Sequence, residues 1–233
     1  MQSNLFTASP SVQSSRILYT PSPFARSSLL HLQEVGSLTA IRPHTSKREK
    51  LQSYLCFMVE DGEGELVYEG KKYELRRGDV VFIDCRKAYS HSTGLNPNTV
   101  LWSLRWCHFY GPSMPAIYAK YCERGGLPVI RGADVSREAA MAREANMARE
   151  ADMGRGADMA RGADVSQYST ILTDIYTLAS SSDYIRDMRI NGKLTDLLTL
   201  LMESSWHREA HTSAPKKMEI SQVKCKRQIL RLP

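Results

Sequence analysis

Tyr54-Leu55-Cys56-Phe57-Met58-Val59, then Asp61-Gly62-Glu63-Gly64, then Glu65-Leu66-Val67-Tyr68-Glu69-Gly70, opens the stretch from Ser53 to Tyr110 whose reading decides the fold. Two short β-prone runs around a Gly-containing turn signal a hairpin. Lys71-Lys72 leads into Tyr73-Glu74-Leu75, and Arg77-Gly78-Asp79 precedes a second apolar run, Val80-Val81-Phe82-Ile83. The loop from Asp84 to Ser92 contains His91, and a last run extends from Val100 to Tyr110. Short strands at close spacing, with Gly turns and no helix between them, predict an antiparallel sandwich or small barrel.

Outward from this block the chain changes texture. Met1 to Phe24 is polar, contains Pro10, Pro21 and Pro23, shows no period of either kind and is expected to be a mobile arm. Between Ser28 and Ile41 a short strand is expected to reach a Gly36-Ser37 turn, with Thr39 to Arg42 as a second strand. Beyond the barrel, Gly111-Pro112 breaks the sheet, and Met114, Ile117, Tyr118 and Tyr121 share one face of a short helix.

Residues 131–166 are six tandem hexapeptides, RGADVS, REAAMA, REANMA, READMG, RGADMA and RGADVS. In a helix a period of six rotates its Val or Met by about 240° per unit, so no apolar stripe results. A left-handed β-helix would have only about two coils, fewer than a solenoid needs. The expectation is a low-complexity insertion of solvated helix and loop, with six Arg against seven Asp and Glu and hence no basic patch. Globular texture resumes at Gln167. Tyr168, Ile171, Ile175 and Leu178 form one helical stripe, and Ile190, Leu194, Leu197 and Leu201 form another.

The whole chain has 233 residues, 42% hydrophobic and 24% charged, enough for one good core and a small second unit. No run approaches the roughly 20 apolar residues of a membrane helix, and the N-terminus lacks a secretory apolar core, so a cytoplasmic protein without membrane contact is expected. Its five Cys follow no metal or disulfide spacing and are expected to be reduced. Net charge is +6, and between His207 and Pro233 seven Lys and Arg face two Glu.

A hydrophobic strand, Gly62-Glu63-Gly64-Glu65-Leu66, a short strand, Arg77-Gly78-Asp79-Val80-Val81-Phe82-Ile83, a loop and then His91 is similar to the double-stranded β-helix of cupins. With Arg42-Pro43-His44 before the first strand and Trp106 to Pro112 closing the last, it resembles the sensor domain of the AraC family of bacterial transcription regulators. The resemblance covers Ser22 to Arg131 and Gln167 to about Val223. It implies an α+β fold: a cupin-like double-stranded β-helix, an antiparallel jelly roll, followed by a two-helix unit of dimerisation type. The organisation expected is an arm over 1–24, a ligand-sensing barrel over 25–130, the insertion over 131–166, a helical hairpin over 167–206 and a basic tail over 207–233.

Several roles follow from the resemblance alone. Part of the arm, Tyr19 to Phe24, would fold over the pocket. Arg42 and Trp106 occupy the places of ligand contacts in sugar-binding members. Ile190, Leu194, Leu197, Leu198 and Leu201 would form the interface of a homodimer, or of a heterodimer with a full-length relative; an intrachain helical hairpin packed on the barrel is an equal reading, compatible with the first. The ten residues after Val223 are too few for even one helix-turn-helix unit, so a sensor without its DNA reader is expected, DNA contact being a property of the missing domain.

Site chemistry points to binding. Along the last strand a period of two places Trp102, Leu104, Trp106, His108 and Tyr110 on one face, and aromatic faces stack on sugars or apolar ligands. Arg42, His44, Tyr54, His91, Trp102, Trp106 and His108 are the expected ligand-binding residues for a small-molecule effector such as a sugar. No cofactor is expected. The rival is a small metal-dependent cupin enzyme built on His44, His91 and an uncertain Glu49. It lacks the paired His such sites use, because position 46 is Ser.

Overall fold

The computed structural model describes residues 11–94, 100–132 and 165–205. Expectations for residues 133–164 of the insertion, for the basic tail and for residues 1–10 lie outside them. In chain order the elements are β1 (Val12–Leu18), α1 (Pro23–Ser28), β2 (His31–Ala40), β3 (Thr45–Arg48), β4 (Tyr54–Asp61), β5 (Glu63–Tyr68) and β6 (Lys71–Arg76). Then follow β7 (Val80–Asp84), β8 (Tyr89–Thr93), β9 (Ser103–Tyr110), α2 (Met114–Glu123), β10 (Val129–Ile130), α3 (Val165–Ser180) and α4 (Arg186–Ser204).

Two antiparallel sheets face each other, one in the order β1-β2-β9-β4-β7-β10 and the other β3-β8-β5-β6. From β2 to β9 the pairing is nested: first with last and third with sixth in one sheet, second with seventh and fourth with fifth in the other. That nesting is the double-stranded β-helix, a double-sheet jelly roll. Its turns sit where the sequence offers them, with Gly62, Gly70 and Gly78 all at positive φ.

The six-stranded sheet is apolar on both faces, which explains why β4 and β7 read as continuous hydrophobic runs. Leu55, Phe57 and Val59 of β4 and Val81 and Ile83 of β7 fill the barrel with Leu66, Leu75 and Trp102. The alternate residues Tyr54, Cys56, Met58, Val80 and Phe82 face outward and are covered by the helices. Burying one such large apolar side chain contributes about 1.5–3 kcal/mol, so two packed faces stabilise this sheet more than a half-solvated one.

Three expectations need correction. Residues 11–24 contain a strand and the start of α1: β1 pairs with β2 from Val12↔Ala40 to Leu18↔Glu34. Gln13, Ser14 and Ser15 are exposed, so the strand is held by its backbone ladder and leaves no apolar period to read. β2 runs unbroken through Gly36, which is small for packing reasons: a Cβ there would lie 2.4 Å from Ser15 O and 2.8 Å from Trp106 Cζ2. The seam of α4 is intrachain. Ile190, Leu194, Leu197, Leu198 and Leu201 are all buried against α3 and the outer face of the sheet, so they are not offered to a partner.

Gly132 and Val165, on either side of residues 133–164, both approach Gly78 at the β6–β7 turn. A methyl on Gly78 would meet Val165 Cγ2 at 3.6 Å and Gly132 Cα at 3.7 Å. Beside them, Arg131 Nη1 donates to Asp79 Oδ2 at 2.6 Å.

Candidate functional site

One end of the barrel holds a cavity of about 230 Å³, walled by β1 to β4, β8 and β9. Strand parity decides who faces it. On β9, Leu104, Trp106 and His108 point inward while Cys107 and Phe109 point to the helices. On β3 and the residue before it, the same period of two brings His44, Ser46 and Arg48 to the wall, and β1 contributes Val12, Ser14 and Arg16.

The centre of the wall is a buried carboxylate. Glu34 accepts from Arg16 Nη2 at 2.5 Å and from Trp106 Nε1 at 3.2 Å, which fixes the indole across β2 above Gly36. Charge-assisted bonds of this kind are short and hold both partners in register.

Three imidazoles surround that pair, and burial lowers the proton affinity of each. His91 is pushed down to about 3, with the charges of His44 and Arg48 adding to the effect. His108 is pushed down to about 4 although Glu34 pulls the other way. His44 shifts in the same direction. At neutral pH all three are therefore uncharged hydrogen-bonding groups. His108 Nδ1 hydrogen-bonds Ser53 Oγ at 3.0 Å. His91 packs its ring against Phe57 and Trp102, with centroids 5.5 and 5.7 Å away, and its buried Nδ1 has no hydrogen-bond partner.

Of the residues expected to bind ligand, His44, His91, Trp106 and His108 lie together on this wall. Trp102 lies beneath it, fully buried in the barrel core, where Gly64 leaves room for its ring. Tyr54 and Arg42 are elsewhere. Tyr54 has the outward parity of Cys56 and Met58; it stacks on Tyr110 at 6.3 Å, and its hydroxyl accepts from Arg86 Nη2 at 2.8 Å. Tyr110 leaves the inward face with it. Arg42 is exposed, and its backbone N–H donates to Ser11 O at 3.2 Å. Sequence reasoning missed Arg16, Glu34 and Arg48. Alternation from His44 would have found Arg48; the other two needed the β1–β2 pairing.

Among the described residues no group of three His, Cys, Asp or Glu side chains is placed to hold an ion. The His108 Nδ1 that faces Cys85 Sγ at 3.9 Å already hydrogen-bonds Ser53. Burial pushes the Cys85 thiol up to about 12, far from a thiolate ligand or nucleophile.

No family model and no curated protein matches the chain. Among solved structures, KdgF from Halomonas sp. is similar over 44% of this chain and 80% of its own, at 17% identity and a TM-score of 0.33. The cupin domain of an XRE family transcriptional regulator from Enterobacter cloacae matches over 43% of this chain and 97% of its own, at 12% identity and a TM-score of 0.33. The plu4264 protein from Photorhabdus luminescens matches over 53% and 94%, at 15% identity and a TM-score of 0.31. No activity is carried over from likenesses this distant. The strand pairing itself makes the fold cupin-like and α+β. Among the described residues no helix is long and apolar enough to cross a membrane.

Proposed function

We propose that this barrel is a small-molecule-binding sensor module of the kind AraC-type regulators carry, and that it binds its ligand without turning it over. The observation supporting this most is the composition of the cavity wall: one indole fixed by a buried Glu34, three neutral imidazoles and two arginines at one end of the barrel. Such a wall combines an aromatic face for stacking with few, placed polar groups, the usual make-up of a ligand site. The absence of a three-donor metal set among the described residues and the unactivated Cys85 thiol weigh against the enzyme reading. Pairing with a second copy, also implied by the resemblance, needs a surface other than the buried α4 seam.

A thermal-shift screen against sugars and small metabolites tests the reading. Ligand at a hundred times its Kd adds about 2.7 kcal/mol, or about 5–10 °C for a chain of this size. Trp106→Ala is expected to abolish the shift. A hit that survives Trp106→Ala and also His91→Phe binds elsewhere and defeats the proposal.

A further inference from the structure

Three groups on the cavity wall carry charge at neutral pH, and two of them cancel: Arg16 is paired with Glu34 at 2.5 Å. The third is Arg48. Its side chain lines the cavity, and among the described residues its guanidinium has no hydrogen bond, ion pair or ring contact. Arg48 is exposed at the cavity rim, and its charge bears on His91, His108, Tyr89 and Cys85, all of which face the interior. No second carboxylate lines the wall to answer it.

We infer that the cavity selects a small organic acid, with Arg48 receiving the carboxylate and the Trp106 indole and His91 Nδ1 meeting the uncharged part of the molecule. The inference rests on the binding reading above and adds the ligand's charge. A neutral ligand covering the mouth would displace part of the water on this rim cation and return nothing for it, whereas a carboxylate returns a charge-assisted, bidentate pair. With Arg16 and Glu34 already neutral as a unit, one negative charge balances the site. The space, equal to roughly eight waters at about 30 Å³ each, suits a single ring or a short hydroxy acid and excludes a polymer.

The test uses the full chain and three matched pairs as probes: glycolate and glycolamide, benzoate and benzamide, glucuronate and glucose, titrated by calorimetry near pH 7.5. At least one acid is expected to bind about tenfold or more tighter than its neutral partner. Arg48→Gln removes that preference, Arg48→Lys keeps part of it, and Arg42→Gln leaves it intact. If the neutral member binds as well as its acid, or if Arg48→Gln leaves the preference unchanged, the acid assignment falls while the cavity remains a binding site. If none of the six probes binds, the assignment also falls, and the metabolite screen with Trp106→Ala decides separately whether the cavity binds anything.

Discussion

Lowering the pH from about 7.5 to about 5 should destabilise this protein through the buried His108 and the half-buried His91. His91 and His108 are neutral in the folded chain, with proton affinities pushed down to about 3 and about 4. Unfolding returns each to the ordinary value of 6.5. Between those values the unfolded chain binds more protons than the folded one, so stability falls as pH falls. It is complete above about pH 6.5 and declines down to the folded-state values. At about pH 5 the gap is roughly 1.5 pH units for each residue, or about 2 kcal/mol apiece and about 4 kcal/mol together. His31 and His44, shifted in the same direction by burial, add with the same sign. Against a typical total of about 5–15 kcal/mol this is a large loss. Urea denaturation at the two pH values measures it, with stabilities extrapolated to water. His91→Phe keeps a ring against Phe57 and Trp102 but cannot take up a proton, so it should remove about half of the pH dependence. Equal pH dependence in the wild type and His91→Phe would refute the reasoning, because it would mean that His91 is solvated in the folded state.

Leu197→Ala should cost about 2–5 kcal/mol in urea melts and leave the sedimentation coefficient unchanged, since the side chain fills an intrachain core; a changed association state with intact stability would restore the dimer seam. Gly64→Ala places a methyl 2.3 Å from the Trp102 ring and 2.5 Å from Ser92 O, so it should cost about 1–3 kcal/mol and alter the near-ultraviolet dichroism of the tryptophans. Arg42→Ala should change stability by less than about 0.5 kcal/mol and leave the affinity of any cavity ligand untouched, as titration calorimetry would show.

How far the sequence could be read depended on which force placed each residue. The runs Tyr54 to Val59 and Val80 to Ile83 announce a sheet buried on both faces, and they do so without reference to any partner. The stripe Ile190, Leu194, Leu197, Leu201 announces a buried face with equal clarity, but a period says nothing about what covers it; here the answer is α3 and the sheet. β1 was invisible because backbone hydrogen bonds, not side chains, hold Gln13 to Ser15 in place. The error at Tyr54 was avoidable. Leu55 lies opposite His108 on β9, so if His108 points inward, Tyr54 must point out. Arg42 was chosen for its position before Pro43, and a flanking residue carries no parity; Arg48, at an even step from His44, carries it.

The meeting of Gly132 and Val165 at Gly78 also bears on how the repeat tract can change over generations. Because Gly132 and Val165 both come to Gly78, the residues between them have no fixed distance to span, and closing a chain segment of twice the length costs only about 0.6 kcal/mol more. Copy number is therefore free to drift by whole six-residue units, lengthening or shortening the polypeptide while every β-strand keeps its neighbour. Related chains differing only in unit count should share one melting temperature.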